Sequence, residues 1–264
     1  MKRIEVAGVG IAYRSDGNPN GPPLLLLHSA GSDLRMWDPH VLALGEGFRL
    51  VRVDARGHGG SDAPPPPYTV NRLGADVVAL MDALEIPRAH IVGASLGGLV
   101  ALRIAADHPG RVDRAVFSGT AARIGTPEAW QERADAVRAG GTEAVTEIVM
   151  SRFFSPAFRR DHPDVVGWFA DVLRAQSPHG YEATCLALRD ADLRDAVGAI
   201  QAPSLILVGD QDASTPVSDA TWLHHAIGGS RLLTLEGAGH LCSVERPGIF
   251  DEVVARFLRG EEIA

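Results

Sequence analysis

The sequence is poor in the features that mark nucleic-acid-binding proteins. Lys2 is the only lysine, and the 25 basic residues are outnumbered by 33 acidic ones, which gives a formal net charge of -8. A nucleic-acid partner needs a basic surface, so we expect none. Because the overall field of the chain repels anions, an anionic substrate would need a local cation in its site.

Cysteines and long apolar runs are also scarce. Two cysteines, Cys185 and Cys242, are too few for a disulfide framework. Residues 1–6 show no apolar signal segment, and the apolar run at 24–27 is far too short to span a bilayer. We therefore expect a cytoplasmic protein with no secretion signal and no membrane partner. The sequence gives no indication of the oligomeric state.

What the chain does contain is an alternation of strand and helix patterns. Residues 3–6 and 10–14 predict a first hairpin, and residues 231–235 predict a last, alternating strand. Continuous apolar runs bounded by turn residues predict buried strands at 23–28, 49–53, 90–93, 115–117 and 204–208. Helical patterns lie between them, for example at 70–84 and 96–107. This order predicts an α/β protein with a mostly parallel sheet covered by helices on both faces.

The alternation stops between about residues 120 and 200, where only helical patterns occur. Three pairs combine an N-cap residue with a proline at the first helical position: Thr126-Pro127, Ser155-Pro156 and Ser177-Pro178. Gly140-Gly141 ends the first of these helices. A helical insertion in such a sheet predicts a lid over its carboxyl edge. We therefore expect a core at 1–120, a helical lid at 121–198 and the rest of the core at 199–264.

The strongest chemical signal is the segment Gly93-Ala94-Ser95-Leu96-Gly97, which follows one predicted strand and opens an apolar helix. A Gly-x-Ser-x-Gly pattern in this context is typical of a nucleophile elbow, where small neighbours permit a strained turn. The Ser95 hydroxyl would lie at a helix N-terminus, where the dipole favours developing negative charge. An ordinary Gly-rich turn can show the same pattern, but the strand–helix context favours the elbow.

A serine hydroxyl is a weak nucleophile without a base, and after an elbow the acid and then the histidine follow in the chain. His240 comes just after the last predicted strand, so we predict that it is the base. The other histidines suit this role less well. His162 and His179 are predicted to be loop residues beside prolines, and His224-His225 fits a solvated helix face.

Two acids, Asp210 and Asp212, follow the strand predicted at 204–208. We favour Asp212, which would orient the imidazole and stabilise its protonated form, because Asp210 suits a turn-forming role. The oxyanion hole needs two backbone N–H groups. We predict Leu96, which follows the nucleophile, and Ala30, with Ser29 as the alternative to Ala30.

His58, in the Gly-rich stretch at 54–59, suggests a metal ligand, but no second ligand stands at a suitable spacing. A structural turn held by Asp54 and Arg56 is the favoured interpretation. We therefore predict no metal site.

Over essentially its whole length, the sequence resembles the α/β-hydrolase superfamily. Four stretches resemble the 3-oxoadipate enol-lactone hydrolases more closely: residues 29–37, 120–130, 154–159 and 188–194. The last three lie in the predicted lid, where substrate-specific families differ most. Two stretches depart from the commoner family pattern. His28-Ser29-Ala30 stands where many members have Asn-Ser-Leu, and Gly239-His240-Leu241-Cys242-Ser243 replaces Ala-His-Leu-Ser-Asn.

The resemblance implies an α/β-hydrolase fold, a triad of Ser95, Asp212 and His240, and neither a metal nor an organic cofactor. The implied substrate is a small enol-lactone with an acetate arm, opened to 3-oxoadipate. For its carboxylate we consider Trp130, Arg133 and Arg189 as binding residues, although each arginine also fits a solvated helix face. The alternatives are a carboxylesterase, a lactonase of another substrate, a perhydrolase-like relative, or a ligand-binding receptor on a hydrolase fold.

Overall fold

The computed structural model describes residues 1–263. In that part of the chain, eight strands form one sheet: β1 (Lys2–Val6), β2 (Val9–Gly17), β3 (Pro23–Leu27), β4 (Arg49–Val53), β5 (Ala89–Ala94), β6 (Val112–Ser118), β7 (Ser204–Gly209) and β8 (Arg231–Leu235). Their order across the sheet is β1-β2-β4-β3-β5-β6-β7-β8. β2 runs antiparallel to both of its neighbours, and all other neighbouring strands pair in parallel. The predicted α/β class with a mostly parallel sheet is confirmed.

The helices flank this sheet or lie in one long insertion. Over residues 1–263 the α-helices are α1 (Val41–Gly45), α2 (Val70–Ala83), α3 (Leu96–Asp107), α4 (Pro127–Gly140), α5 (Glu143–Phe153), α6 (Pro156–Asp161), α7 (Pro163–Arg174), α8 (Pro178–Asp190), α9 (Val217–Ala226), α10 (Cys242–Glu245) and α11 (Pro247–Leu258). Short 3-10 turns occupy Leu34–His40, Pro109–Arg111 and Val197–Ala199. Helices α4–α8 all lie between β6 and β7, and we call them the helical insertion.

Some strand ends follow from the apolar pattern of the sequence, and others are set by hydrogen-bond pairing with the neighbouring strand. β4 and β8 have the predicted ends, whereas β2 continues three residues beyond its predicted end. Its last residues, Ser15 to Gly17, have weak strand propensity but pair in register with Val51 to Arg49 of β4. Strands β5 and β7 are buried along their whole length, which explains their continuous apolar runs.

The three predicted Ser/Thr-Pro helix starts are confirmed. Each hydroxyl accepts a hydrogen bond from the N–H three residues later: Thr126 from Ala129, Ser155 from Phe158 and Ser177 from Gly180. The prediction that α4 ends at Gly140-Gly141 is also confirmed, with Gly141 at a φ of 69°. His162 lies between α6 and α7 as expected. The placement of His179 in a loop was wrong, because the Ser177 cap and Pro178 start α8 just before it.

The helical insertion is held to the core by hydrogen bonds from two of its inner helix junctions, α5–α6 and α7–α8. Gln176 accepts from the Gly59 N–H at 2.9 Å, in the loop after β4. Glu245 of α10, a buried carboxylate, accepts from the Ser155 N–H at 2.8 Å and from the Ser155 hydroxyl at 2.6 Å. The Leu241 N–H donates to the Phe153 carbonyl at 2.9 Å. These bonds fix the insertion at the carboxyl edge of the sheet.

A buried ion pair holds the loop after β4 against helix α2. Arg56 Nε and Asp76 Oδ2 are 2.5 Å apart, a second nitrogen reaches Asp76 Oδ1 at 2.6 Å, and both side chains are almost fully buried. The same loop is held by Asp54, which accepts from the Leu34 N–H at 2.7 Å and from the Gly60 N–H at 2.8 Å. The predicted turn held by Asp54 and Arg56 is therefore confirmed.

We expect Asp76→Ala to lower the free energy of unfolding by about 3–5 kcal/mol, because it leaves the Arg56 guanidinium buried without its partner. The matched control is Asp135→Ala, which removes an exposed pair with Arg138 and should cost less than about 1 kcal/mol. Urea unfolding monitored by circular dichroism measures both values. Similar losses in the two variants would contradict a special role for the buried pair.

Candidate active site

Ser95 occupies the sharp turn between β5 and α3. Its φ of 53° and ψ of -114° are strained for a residue with a side chain. The turn is possible because glycines stand two residues before and two residues after Ser95. A Cβ at Gly93 would collide with the backbone of Gly97, and one at Gly97 would collide with the carbonyl of Leu27. The hydroxyl of Ser95 is thereby held at the N-terminus of an apolar helix, at the carboxyl end of a buried strand.

The structure brings His240 to Ser95. The imidazole follows β8, is 3% exposed, and places its Nε2 atom 2.9 Å from Ser95 Oγ. His240 can come this close because residue 119, just after β6, is a glycine. A Cβ there would collide with the His240 carbonyl. His162, His179, His224 and His225 take no part in this arrangement.

Asp212 follows β7 and lies on the other side of the imidazole. Its Oδ2 and Oδ1 atoms are 2.9 Å and 3.1 Å from His240 Nδ1. Burial alone would raise the pKa of Asp212, but the charge of the imidazolium and its hydrogen bond, together with the backbone N–H groups of Thr215 and Ser214, lower the pKa below its ordinary value. Asp210, the alternative acid, is exposed, whereas Asp212 is buried.

Three donors besides the imidazole hold the Asp212 carboxylate. The Ser214 and Thr215 N–H groups donate to Oδ1 at 2.8 Å and 2.9 Å, and the Thr215 hydroxyl donates to Oδ2 at 2.8 Å. Sequence reasoning gave Thr215 no role in the site. A Thr three residues after the candidate acid is the available signal, since that spacing suits a side-chain turn.

The two predicted oxyanion donors are both unengaged. Within residues 1–263, neither the Ala30 nor the Leu96 N–H donates a hydrogen bond. Leu96 is the first residue of α3, where an N–H has no intrahelical acceptor. The Ser29 N–H instead faces the Met36 sulfur at 3.4 Å. Ala30 therefore fits an oxyanion hole better than Ser29 does.

A cavity opens beside Ser95 and His240, with about 520 Å³ of empty space that includes its mouth. Its apolar wall includes Ile124, Val149 and Phe153, and Ala30 also lines it. Helices α4 and α5 of the insertion contribute much of the lining. An apolar lining with a few polar groups at one end is typical of a small-molecule site.

Two arginines face this cavity. Arg133 lies over the Trp130 ring, with 4.5 Å between guanidinium carbon and ring centroid, and the Trp130 indole N–H donates to the Ile124 carbonyl at 2.6 Å. Arg152, at the end of α5, also lines the cavity. Among residues 1–263, neither arginine has a carboxylate within 4 Å, although many other arginines here form ion pairs. Arg152 was not singled out from the sequence, where nothing distinguishes it from other helical arginines.

Arg189, the other predicted cation, does not line the cavity. Its guanidinium binds Asp190, with Nε 2.7 Å from Oδ1, and reaches the Gln131 side-chain oxygen at 2.5 Å. The sequence places Arg189 and Arg133 on helices but does not settle which way each side chain points. The structure therefore brings Trp130 and Arg133 to the candidate site and leaves Arg189 outside it.

The described part of the chain, residues 1–263, also bears on metal binding and membrane insertion. No group of three or more His, Cys, Asp or Glu side chains there is arranged to hold a metal ion. No helix within residues 1–263 is long and apolar enough to cross a bilayer. His58, the residue that suggested a metal, accepts a hydrogen bond from the Gly31 N–H at 3.0 Å.

A strained serine at a strand–helix turn, backed by an imidazole and a carboxylate, is the arrangement found in serine hydrolases of this sheet type. The family model described as "alpha/beta hydrolase fold" matches residues 22–247. The chain belongs to the α/β-hydrolase family, and the predicted fold is confirmed.

More specific relatives support a hydrolase and confirm the resemblance to enol-lactonases. The chain is 36% identical over 251 residues to 3-oxoadipate enol-lactonase 2 of Acinetobacter baylyi, covering 95% of this chain and 94% of the relative. It is 32% identical to 3-oxoadipate enol-lactonase 1 of the same organism, over 96% and 94% of the two chains. The crystal structure of the enol-lactonase from Burkholderia xenovorans superposes with a TM-score of 0.96 at 39% identity, covering 98% of this chain and 100% of that one.

We expect Asp212→Asn to lower the turnover of a simple ester by about 10³–10⁴-fold. The two backbone N–H donors would hold the amide oxygen at the Oδ1 position, so the amide NH₂ would face His240 Nδ1. That contact favours the imidazole tautomer with a proton on Nε2, which cannot accept one from Ser95. Steady-state hydrolysis of 4-nitrophenyl acetate gives the turnover number.

The matched control is Asp210→Asn, two residues away on the exposed side of the same loop. Its turnover should equal that of the wild type. Equal losses in the two variants would show that the loop, and not the carboxylate behind His240, is what matters.

Proposed function

We propose that this protein is a serine hydrolase that opens a small carboxylate-bearing enol-lactone, with 3-oxoadipate enol-lactone as substrate and 3-oxoadipate as product. The observation that carries the proposal is the contact of His240 with both Ser95 and Asp212, beside a small cavity with two arginines. The names of its relatives supply the lactone. The cavity and its cations suit a compact anion.

Ser95 Oγ attacks the lactone carbonyl carbon while His240 Nε2 takes the hydroxyl proton, and Asp212 stabilises the imidazolium that forms. The carbonyl oxygen becomes an oxyanion. The Leu96 and Ala30 N–H groups then donate to it, and the N-terminus of α3 adds its dipole. These donors are unoccupied before substrate binds, so no internal hydrogen bond has to break.

The tetrahedral intermediate collapses by breaking the bond between the former carbonyl carbon and the ring oxygen. His240 returns its proton to that enol oxygen, and the enol tautomerises to a ketone. Because the ring opens but the chain stays attached through the acyl group, Ser95 then carries the whole product as an acyl-enzyme. Water, deprotonated by His240, adds to the acyl carbon and releases the dicarboxylate.

The substrate carboxylate is held by Arg133, with Arg152 as a second cation at the cavity. In a chain of net charge -8, these groups supply the local positive field that an anion needs. Trp130 orients Arg133 by packing against its guanidinium, and the apolar wall accommodates the lactone ring. The helical insertion serves as a lid, since α4 and α5 line the cavity beside Ser95.

The direct test is to add 3-oxoadipate enol-lactone and follow the loss of its ultraviolet absorbance. We expect sustained turnover by the wild type and a fall of at least about 10³-fold in Ser95→Ala, which keeps the oxyanion donors but loses the nucleophile. Ser204→Ala, a buried serine at the far end of β7 that bonds the Ala202 carbonyl, is the control and should retain full activity.

Each failure of this assay has its own meaning. Turnover of simple esters or neutral lactones without turnover of the enol-lactone would reject the substrate and leave a carboxylesterase or another lactonase. Binding or a single burst without turnover would point to a ligand-binding receptor. Full activity in Ser95→Ala would reject the proposed nucleophile.

Arginine variants test the anion site separately. We expect Arg133→Gln and Arg152→Gln to lower kcat/KM for the mono-4-nitrophenyl ester of succinate by about tenfold or more, because each loses a charge-assisted contact. Neither should change kcat/KM for neutral 4-nitrophenyl butyrate. Arg189→Gln, whose guanidinium is occupied by Asp190, is the matched control and should leave both values unchanged. Equal losses for the two esters would count against a carboxylate site.

A further inference from the structure

His58 lies behind the turn that carries the proposed oxyanion donor Ala30, and the mechanism above gives it no role. Its imidazole is 1% exposed and comes from the loop after β4. Its Nε2 atom accepts a hydrogen bond from the Gly31 N–H at 3.0 Å. Gly31 directly follows Ala30, so this bond ties a second loop to the oxyanion turn.

The surroundings of His58 determine which ring nitrogen carries the proton. Nδ1 lies 3.3 Å from the Arg56 carbonyl, and a carbonyl oxygen can only accept, so the hydrogen is on Nδ1. Nε2 is then left with a lone pair that points at the Gly31 N–H. Burial lowers the pKa of His58 to about 3, and His28 acts in the same direction. The imidazole therefore stays neutral at the pH where a hydrolase works.

The turn at residues 29–32 has the geometry of one of the two common β-turn types. The Ser32 N–H donates to the Ser29 carbonyl at 3.1 Å, and Gly31 has a φ of 78°, which a type II turn requires at its third position. Types I and II differ in the orientation of the middle peptide, here the one joining Ala30 to Gly31. Rotating that peptide would replace the Gly31 N–H by the Ala30 carbonyl, which would face the lone pair of His58. The neutral imidazole thus stabilises one form and disfavours the other.

The helical insertion also packs against this turn. A Cβ on Gly31 would meet Leu173 and Tyr181 at 2.8 Å and 3.0 Å. Tyr181 of α8 also packs edge-on against the His58 ring, with centroids 6.3 Å apart. Gln176 donates to the Ser32 carbonyl at 3.3 Å while accepting from the Gly59 N–H. The turn is therefore enclosed, and among residues 1–263 His58 supplies its only side-chain nitrogen acceptor.

We propose that His58 is a positioning residue for the oxyanion hole: its unprotonated Nε2 binds the Gly31 N–H and keeps the turn at residues 29–32 in its type II form and in place. The N–H of Ala30, which belongs to the preceding peptide of the same turn, is thereby held where it can donate to the oxyanion. This inference rests on the proposed function, because it needs Ala30 to be an oxyanion donor. His58 touches neither substrate nor Ser95. Its effect appears where negative charge develops, in the transition state, and not in substrate binding.

Two amide variants distinguish the contribution of Nε2 from that of Nδ1. The side chain of His58→Gln reaches the Nε2 position and can accept from the Gly31 N–H, whereas that of His58→Asn reaches only the Nδ1 position. With 4-nitrophenyl acetate, we expect His58→Asn to lower kcat by about ten- to a hundredfold, less than deleting a donor outright, with KM unchanged. His58→Gln should recover most of that loss.

A pair of inhibitors supplies a readout that a merely structural role would not change. Butylboronic acid forms a tetrahedral adduct with the serine, so His58→Asn should weaken its inhibition by the same factor as kcat. Adipate forms no such adduct, and its inhibition constant should stay at the wild-type value. Parallel losses for both inhibitors, or equal kcat values in the Asn and Gln variants, would overturn the proposal.

Measurements on the wild type keep the proposal testable if the variants fold poorly. ¹⁵N NMR of histidine-labelled protein should show a neutral ring with its hydrogen on Nδ1 that does not titrate between about pH 5 and 8. A hydrogen on Nε2 would overturn the proposal.

His90→Asn is the matched control for the kinetic comparison. It removes a buried imidazole at the opposite end of β5 and should leave kcat unchanged.

The outcome is independent of the substrate assignment. If the wild type fails to open the enol-lactone while the Asn and Gln variants differ as stated on the simple ester, the substrate is wrong and the role of His58 stands. If the wild type opens the enol-lactone and both variants match its kcat, the role of His58 is wrong and the substrate stands.

Discussion

The hydrogen bond between His240 and Ser95 depends on how closely neighbouring loops can approach at one edge of the sheet. Parallel pairing brings the ends of β5 to β8 to that edge, but β6 and β7 lie between the serine and the histidine. The loops close the gap only where side chains are missing. A Cβ on Gly119 would collide with the His240 carbonyl, and a Cβ on Gly209 would collide with the carbonyls of Ala238 and Gly239. Glycine at these positions is therefore a condition for the whole arrangement.

The site combines a buried charge and a buried neutral ring, and the difference comes from their hydrogen-bond partners. Asp212 faces only donors, namely two N–H groups, one hydroxyl and the imidazole, which favour its charged form despite burial. His58 faces a carbonyl on one nitrogen and an N–H on the other. That pairing suits a neutral tautomer. The hydrogen-bond partners around each group thus fix its protonation state. Asp212 stays a carboxylate anion, and His58 stays a neutral imidazole that can accept a hydrogen bond.

The sequence predicts the fold well because each level of pattern agrees with the next. Apolar runs, helix caps and the Ser95 elbow are local signals, and the chain order of acid and histidine follows from the strands that they succeed. The prediction of Arg189, and the lack of any prediction for Arg152, show what local signals leave undetermined. Arg189 has Asp190 beside it, and pairing of such neighbours depends on helix phase and side-chain direction, which sequence spacing alone does not determine. The roles suggested for Thr215 and His58 depend on contacts between segments far apart in the chain.

The arginines also explain how an acidic protein can offer a site for an anion. An arginine beside a carboxylate, such as Arg189 beside Asp190, has its charge compensated and its donors occupied. Arg133 is held instead over the face of Trp130, where the ring quadrupole attracts the cation without using its N–H donors. Those donors stay available for a planar carboxylate, which guanidinium binds through two parallel hydrogen bonds. Aromatic support therefore positions the cation without neutralising the charge that the proposed substrate needs.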